Sequence, residues 1–143
     1  MIAALSRFYA LPAAEQRLTC EAALLLLVVR IVLAVAPLPQ ALRLFGISQS
    51  DTSSGRVDGQ AAERIGRAIA RAARRVPFRA MCLQQAFAAL LMLRRRGLAA
   101  TVHFGLLRDG SELKAHAWSR CGEVAVTGVA AASGFTPIVA FGA

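Results

Sequence analysis

The chain has 143 residues, 57% of them hydrophobic, and its mean hydropathy is +0.53. This length corresponds to one domain, and the apolar content excludes intrinsic disorder. A balance of 17 Lys and Arg against 8 Asp and Glu gives a net charge of +9, which indicates affinity for an acidic peptide, protein, nucleic acid or membrane surface. Three irregularly spaced cysteines argue against a disulfide framework or a zinc motif and favour the cytoplasm.

The first 46 residues predict a mostly helical part. Ala13 to Val35 predicts one long helix, and its apolar run is similar to a membrane span. Arg30 divides that run into pieces that are far shorter than the ~20 residues a span needs. Charged residues of both signs before the run, and Pro37 after it, are unlike a signal sequence. We expect a buried helix, with a membrane-associated or membrane-spanning helix as the alternatives.

The residues from 47 to 59 form the one polar stretch, rich in Ser, Asp and Gly, and predict a loop or linker. This loop separates the N-terminal helical part, 1–46, from a catalytic core at 60–143. We nevertheless expect the whole chain to fold as one compact unit.

Gln60 to Val76 predicts an amphipathic helix, because Ile65, Ile69, Ala72 and Val76 recur at helical spacing. The simplest interpretation of its polar side is a solvated surface. The functional alternative is a docking stripe for an acidic peptide or a partner protein. Five arginines make up this stripe: Arg64, Arg67, Arg71, Arg74 and Arg75.

Ala80 to Arg96 predicts a second helix that ends with Gly97 as its C′ residue. After Gly97 the apolar period changes from the helical value to two, which is typical of strands. Helices followed by antiparallel strands make an α+β fold. The predicted strands are Ala100–Leu107, Leu113–Arg120, Glu123–Gly128 and Phe135–Phe141.

Cys82 falls in the first turn of the second predicted helix, where unpaired N–H groups and the helix dipole favour an anion. Arg79, three residues upstream, adds positive potential. Both features favour a nucleophilic thiolate. The alternative is a small buried apolar residue, which describes most cysteines. Cys20 and Cys121 have no comparable setting.

His116 lies in a predicted strand and is the candidate general base for Cys82. Papain-type chemistry uses a third group, Asp or Asn, to hold the histidine in the right tautomer. If Cys121-Gly122 is a two-residue turn, Thr127 falls opposite His116. Thr127 is therefore the candidate for this third position, although a hydroxyl supplies no charge.

His103 falls opposite His116 if Asp109-Gly110 is the turn between the first two strands. Two facing histidines are either a base and its helper or a coincidence of register. Zinc is not expected, because the spacing of these histidines and Cys82 matches no metal motif. No cofactor is expected.

The ensemble of motifs resembles the transglutaminase-like peptidases of lasso-peptide maturation, in the stand-alone form that is the peptidase component of the split B protein. The N-terminal segment Leu11 to Glu15 and the Leu-rich helix after it also resemble this family. The motifs that carry the resemblance are Cys82-Leu83, Arg95-Arg96-Gly97-Leu98, Val102 to Gly105, Ala115-His116-Ala117-Trp118, Cys121-Gly122, Val126-Thr127-Gly128 and Phe135-Thr136-Pro137.

The resemblance implies a transglutaminase-like (papain-like) core and a cysteine protease that removes the leader from a ribosomally made precursor peptide. It implies Cys82 as the nucleophile that forms a thioester and His116 as the general base. The family's third member, an aspartate on the next strand, falls at or near Thr127. The implied partners are a leader-recognition protein and an ATP-using cyclase. The chain is too short to add a recognition domain to the peptidase, so we expect recognition to come from the partner.

Two other functions remain open. An acyl transferase or peptide-crosslinking enzyme would use the same Cys82–His116 pair, because water and an amine attack the same acyl-enzyme. A non-catalytic, arginine-rich binding module would belong to a biosynthetic complex. Nucleic acid is not expected as a partner, because few aromatic residues are interleaved with the arginines.

Overall fold

The fold has an α+β architecture, as predicted, in a computed structural model that describes residues 1–142. The five helices are α1 (Ile2–Tyr9), α2 (Ala13–Val35), α3 (Leu38–Phe45), α4 (Gly59–Ala73) and α5 (Cys82–Arg95). The five strands are β1 (Ser48–Gln49), β2 (Thr101–Asp109), β3 (Glu112–Cys121), β4 (Val124–Thr127) and β5 (Thr136–Gly142), with a single 3₁₀ turn at Ala130–Ala132.

Local signals determine where the helices begin and end. The long helix α2 has the predicted bounds, Ala13–Val35. Asp58 caps α4 by accepting a hydrogen bond from the Ala61 N–H at 3.1 Å, the usual role of an acidic residue before a helix. Gly97 follows α5 with φ of 69°, a left-handed conformation that favours glycine as the C′ residue.

The strands form one antiparallel sheet in the order β1-β5-β2-β3-β4. Helix α5 lies against one face, where Phe87 packs on Phe104 with ring centroids 6.3 Å apart. Opposed residues and residues two apart share a face of a sheet, so Ala117 and Cys121, both in the hydrophobic core, lie on this same face. We call it the helix face.

The turns on either side of β3 differ from the prediction. The sequence predicted Asp109-Gly110 and Cys121-Gly122 as their central residues, whereas the structure has Gly110-Ser111 and Gly122-Glu123. Only the glycines have positive φ, 64° and 57°, and positive φ at the first central residue alone is typical of a type II′ hairpin turn. Both predicted registers are wrong by two positions next to the turns.

Two carboxylates on α2 attach that helix to α4 and α5. Glu15 accepts hydrogen bonds from Arg64 at 2.6 Å and Arg71 at 3.1 Å. Glu21 binds Arg95 at 2.7 Å and Arg96 at 2.6 Å. These bonds, those from Arg64 and Arg96 foremost, hold the pKa of each glutamate below its ordinary value.

The arginine stripe of α4 is thus only partly a free surface. Arg64 and Arg71 are occupied by Glu15 within the chain, which corrects the interpretation of all five arginines as one docking stripe. Arg67 lies 4.0 Å from Glu63 on the same helix. Arg74 and Arg75 are exposed at the end of α4.

Helix α2 is long and apolar enough to cross a membrane by length and composition, and 28% of its most apolar window is buried in the structure. Its buried side includes Ala22, Leu26 and Val29. The opposite side exposes apolar residues to solvent: Leu24, Leu27, Val28, Ile31 and Val35. Helix α2 therefore packs one side into the core and leaves the other side as an exposed apolar surface.

We predict that Glu21→Gln destabilises the fold, because it leaves two guanidinium groups without their carboxylate. The free energy of unfolding should fall by about 1–2 kcal/mol, a charged hydrogen-bond contribution reduced by the partial exposure of the arginines. The measurement is urea denaturation of the wild-type protein, Glu21→Gln and the control Glu63→Gln, whose carboxylate is exposed.

The same variant has a distinct pH dependence. A glutamate with a lowered folded-state pKa stabilises the fold above the ordinary value of 4.5, and this stabilisation is lost as the pH falls through the folded-state pKa. Wild-type protein should therefore lose stability below pH 4.5 more steeply than Glu21→Gln. Equal slopes for the two proteins would contradict the role given to Glu21.

Candidate active site

Cys82 is the first residue of α5, and its side chain is half-buried against the edge of the hydrophobic core. Met81 precedes it, and the Met81 N–H donates to the Gln84 side chain at 3.1 Å, which fixes the start of the helix. The first N–H groups of a helix have no partner within the helix. The thiol thus stands beside donors that favour negative charge on a substrate oxygen or on sulfur itself.

The other candidates near Cys82 take different positions. Arg79 is exposed just before α5, where its charge adds to the potential of the helix N-terminus. Cys20 is exposed on α2, whereas Cys121 is fully buried on the helix face, and all three cysteines are free thiols. Within residues 1–142, no group of three His, Cys, Asp or Glu side chains is arranged to hold a metal ion.

His116 lies on the face of the sheet that is turned away from Phe87, where aromatic side chains surround its ring. Its centroid is 6.0 Å from that of Trp118 and 5.4 Å from that of Phe135. Trp118 is 5% exposed, and its ring lies over Gly105, where an added Cβ would come within 2.8 Å of it. The rings of Trp118 and Phe135 therefore restrict the orientation of the imidazole.

The main chain of the β4–β5 connection supplies the polar partner of His116. Its Nε2 lies 2.7 Å from the carbonyl oxygen of Gly128, so Nε2 carries a proton and donates. In a neutral imidazole this leaves Nδ1 as the unprotonated nitrogen. Within residues 1–142, no hydrogen bond joins His116 to the Cys82 thiol.

Thr127 does not oppose His116, contrary to the predicted register. A bulge shifts the pairing so that Arg120 opposes Ala125 while Ser119 opposes Thr127. Thr127 is thereby turned to the helix face, where its hydroxyl lies 2.6 Å from that of Ser119 and is buried. Thr127, the predicted third member of the site, is therefore bonded to Ser119. The residue that contacts His116 is the next one along the chain, Gly128.

His103 opposes Trp118 rather than His116, which in turn opposes Gly105. The His103 ring stacks on Trp118 at 5.8 Å, so the tryptophan lies between the two histidines. Burial, together with the charge of Arg120, lowers the pKa of His103. His103 also lines a cavity of about 540 Å³ together with Arg120 and Asp51.

Sequence reasoning missed the three residues that shape the environment of His116: Gly105, Gly128 and Phe135. The resemblance included all of them in its motifs without a role. Gly128 has a positive φ of 68°. The sequence did not indicate this conformation, because its pattern predicted a strand up to Gly128. The stacking of Phe135 depends on the path of the connection between β4 and β5.

A half-buried cysteine at a helix N-terminus, followed along the chain by an antiparallel sheet that carries a histidine, agrees with a transglutaminase-like (papain-like) α+β fold. The chain matches the family model of the Transglutaminase-like superfamily over residues 25–140, and it belongs to that superfamily. The superfamily includes cysteine proteases and transglutaminases. No curated protein and no solved structure matches the chain.

We predict that Gly105→Ala displaces Trp118, because the new methyl group would lie within 2.8 Å of the indole ring. Overpacking of this kind typically costs about 1–3 kcal/mol. The expected result is a lower free energy of unfolding and a changed tryptophan fluorescence spectrum. The control is Gly59→Ala, where the added Cβ meets Val124 at an ordinary 3.8 Å; an unchanged spectrum in Gly105→Ala would contradict the packing described here.

Proposed function

We propose that this protein is a cysteine peptidase that removes the leader from a ribosomally made lasso-peptide precursor. The single observation that carries the proposal is the state of His116, whose Nε2 is occupied by a carbonyl so that Nδ1 is free to accept a proton. Cys82, at the N-terminus of α5, is the proposed nucleophile. Membership of the transglutaminase-like superfamily and the motifs around both residues support the pairing.

The reaction begins when Nδ1 of His116 accepts the Cys82 proton as sulfur attacks the scissile carbonyl carbon. The carbonyl oxygen gains negative charge, and the first N–H groups of α5 stabilise it. The C–N bond then breaks, the imidazolium protonates the leaving amine, and a thioester remains on Cys82. The first step requires the thiol and Nδ1 to come within hydrogen-bond reach in the substrate complex.

Hydrolysis completes the cycle. His116 removes a proton from water, the resulting hydroxide attacks the thioester, and the Cys82 sulfur leaves and regains its proton. An amine in place of water would give acyl transfer, which is the alternative activity of the same pair. Transglutaminases within the superfamily support that alternative, and an added amine tests it through the mass of the product.

We predict that Cys82→Ala abolishes leader release while Cys20→Ala leaves it intact. Loss of a catalytic nucleophile lowers kcat by several orders of magnitude, at least about 10³-fold. The assay is mass spectrometry of a precursor peptide incubated with the protein and its recognition partner. Release that persists in Cys82→Ala would overturn the proposal, and salt-dependent oligonucleotide binding without any cleavage would favour a binding module.

The proposal places the protein in the cytoplasm with two partners, a leader-recognition protein and an ATP-using cyclase. The candidate docking surface for the recognition protein is the exposed apolar side of α2 together with α1. We define this N-terminal face by its most exposed apolar residues: Met1, Ile2, Leu5, Tyr9, Leu24, Ile31 and Val35. Helix α1 buries none of its residues, and clustered exposed apolar side chains often mark interaction sites.

Charge supports an acidic protein or peptide as the occupant of the N-terminal face. Arg74 and Arg75 line a cavity of about 510 Å³ between α1, α2 and the end of α4. Both glutamates of α2 that could offset positive charge are held by arginines within the chain. The face therefore combines apolar contact area with uncompensated positive charge, as the recognition of an acidic partner requires.

We predict that the double variant Leu24→Glu/Ile31→Glu weakens binding of the recognition protein by at least about 10-fold, because charge in the centre of an apolar interface is costly. Isothermal titration calorimetry measures the affinity. The control is Leu113→Glu, a substitution at an exposed leucine on β3. Unchanged affinity in the double variant would overturn the assignment, and co-sedimentation of the wild-type protein with anionic lipid vesicles would identify the face as a membrane surface instead.

A further inference from the structure

We propose that the main-chain carbonyl of Gly128 takes the place of the third side chain of a catalytic triad and positions His116. This inference rests on the proposed function, since a positioning group has meaning only for a working Cys82–His116 pair. The carbonyl touches neither substrate nor sulfur. It acts through the imidazole, by fixing its orientation and its tautomer.

The hydrogen bond itself is the first observation. The 2.7 Å separation of His116 Nε2 and the Gly128 oxygen lies at the short end of the N–H···O range. A carbonyl oxygen only accepts, so the proton is on Nε2 and the lone pair is on Nδ1. That tautomer is the one that a base needs when it takes the thiol proton through Nδ1.

The second observation is the shape of the chain at Gly128. Its φ is 68°, and an added Cβ would lie 2.9 Å from the Ala117 oxygen and 3.0 Å from His116 Nε2. A side chain at this position would be strained by its backbone conformation and would push against the imidazole. Glycine is therefore the residue that lets the carbonyl approach this closely.

The third observation is that the strand after His116 offers no carboxylate for this role within the described residues. Within residues 117–142 the one carboxylate is Glu123, which is exposed in the β3–β4 turn. The bulge in β4 turns Thr127 to the helix face, where it bonds Ser119. The same bulge brings Gly128 next to His116. One irregularity of the strand therefore turns the Thr127 side chain away from His116 and puts the Gly128 carbonyl against it.

A carbonyl differs from a carboxylate in the chemistry it supports. It fixes tautomer and direction as an aspartate does, but it carries a dipole instead of a full charge and stabilises the imidazolium less. The site therefore gains positioning without strong charge stabilisation. Such a base suits an enzyme whose substrate is delivered by a partner.

The test is ¹⁵N NMR of histidine-labelled wild-type protein, in which the ring ¹⁵N shifts distinguish the two neutral tautomers. We expect His116 to be in the Nε2–H form. A predominant Nδ1–H form, or a mixture of both, would overturn the proposal. This result does not depend on activity: the Nε2–H form in a protein that cleaves no precursor would refute the proposed function and leave only the hydrogen bond between Gly128 and His116 in place.

Variants connect the tautomer to the reaction. Gly128→Ala should mix the tautomers and lower kcat by up to about 10²-fold, the effect of a small misplacement of a catalytic group, with little change in KM. The control is Gly134→Ala, which also adds a Cβ at positive φ, 85°, but meets only Leu107 at 3.7 Å. Equal effects of the two variants on the tautomer would overturn the assignment to Gly128.

A second control separates Gly128 from the side chain before it. Thr127→Val removes the hydroxyl that bonds Ser119 and should leave the His116 tautomer unchanged, even if it lowers stability. A change of tautomer in Thr127→Val without any change in Gly128→Ala would show that the third position belongs to the threonine.

Discussion

The ion pairs that join α2 to α4 and to the end of α5 fix how these three helices lie against one another around the hydrophobic core. Glu15 joins α2 to α4, and Glu21 joins α2 to the end of α5. Each carboxylate receives two guanidinium groups, so its negative charge is well compensated at a half-buried position. Because Cys82 begins α5 and Arg95 and Arg96 lie at its other end, these contacts help to set the position and tilt of the helix that carries the nucleophile.

The ion pairs within the chain reduce the number of arginines that are available to an acidic partner. The sequence suggests a general affinity for acidic partners, yet Arg64, Arg71, Arg95 and Arg96 bind carboxylates within the chain. Some of the arginines behind the net charge of +9 therefore connect helices within the fold and are not free to bind a partner. Arg74 and Arg75, at the end of α4, remain exposed and line a cavity with residues of apolar α1.

Much of the fold could be predicted because its signals are local. The bounds of α2 and the approximate positions of β2 to β5 follow from apolar periodicity and from prolines and glycines at element ends. The short strand β1 and the pairing of β5 with β1 and β2 were not predicted. The registers beside β3 were wrong because Gly110 and Gly122 occupy the first central position of their turns instead of the second. The bulge that turns Thr127 away from His116 depends on contacts between strands and helices. The partners of Glu15 and Glu21 lie 49 to 75 residues away and have no local signal.

The carbonyl at His116 changes which substitutions the site tolerates. A catalytic carboxylate is lost when one side chain is replaced, whereas a main-chain oxygen is present whatever the residue. At Gly128 the requirement is instead that no side chain be added, since φ is 68° and the imidazole nitrogen is 3.0 Å from where a Cβ would stand. Every missense change in that codon adds a side chain. The sensitivity of the site to mutation thus moves from an acidic residue to the smallest residue in the chain.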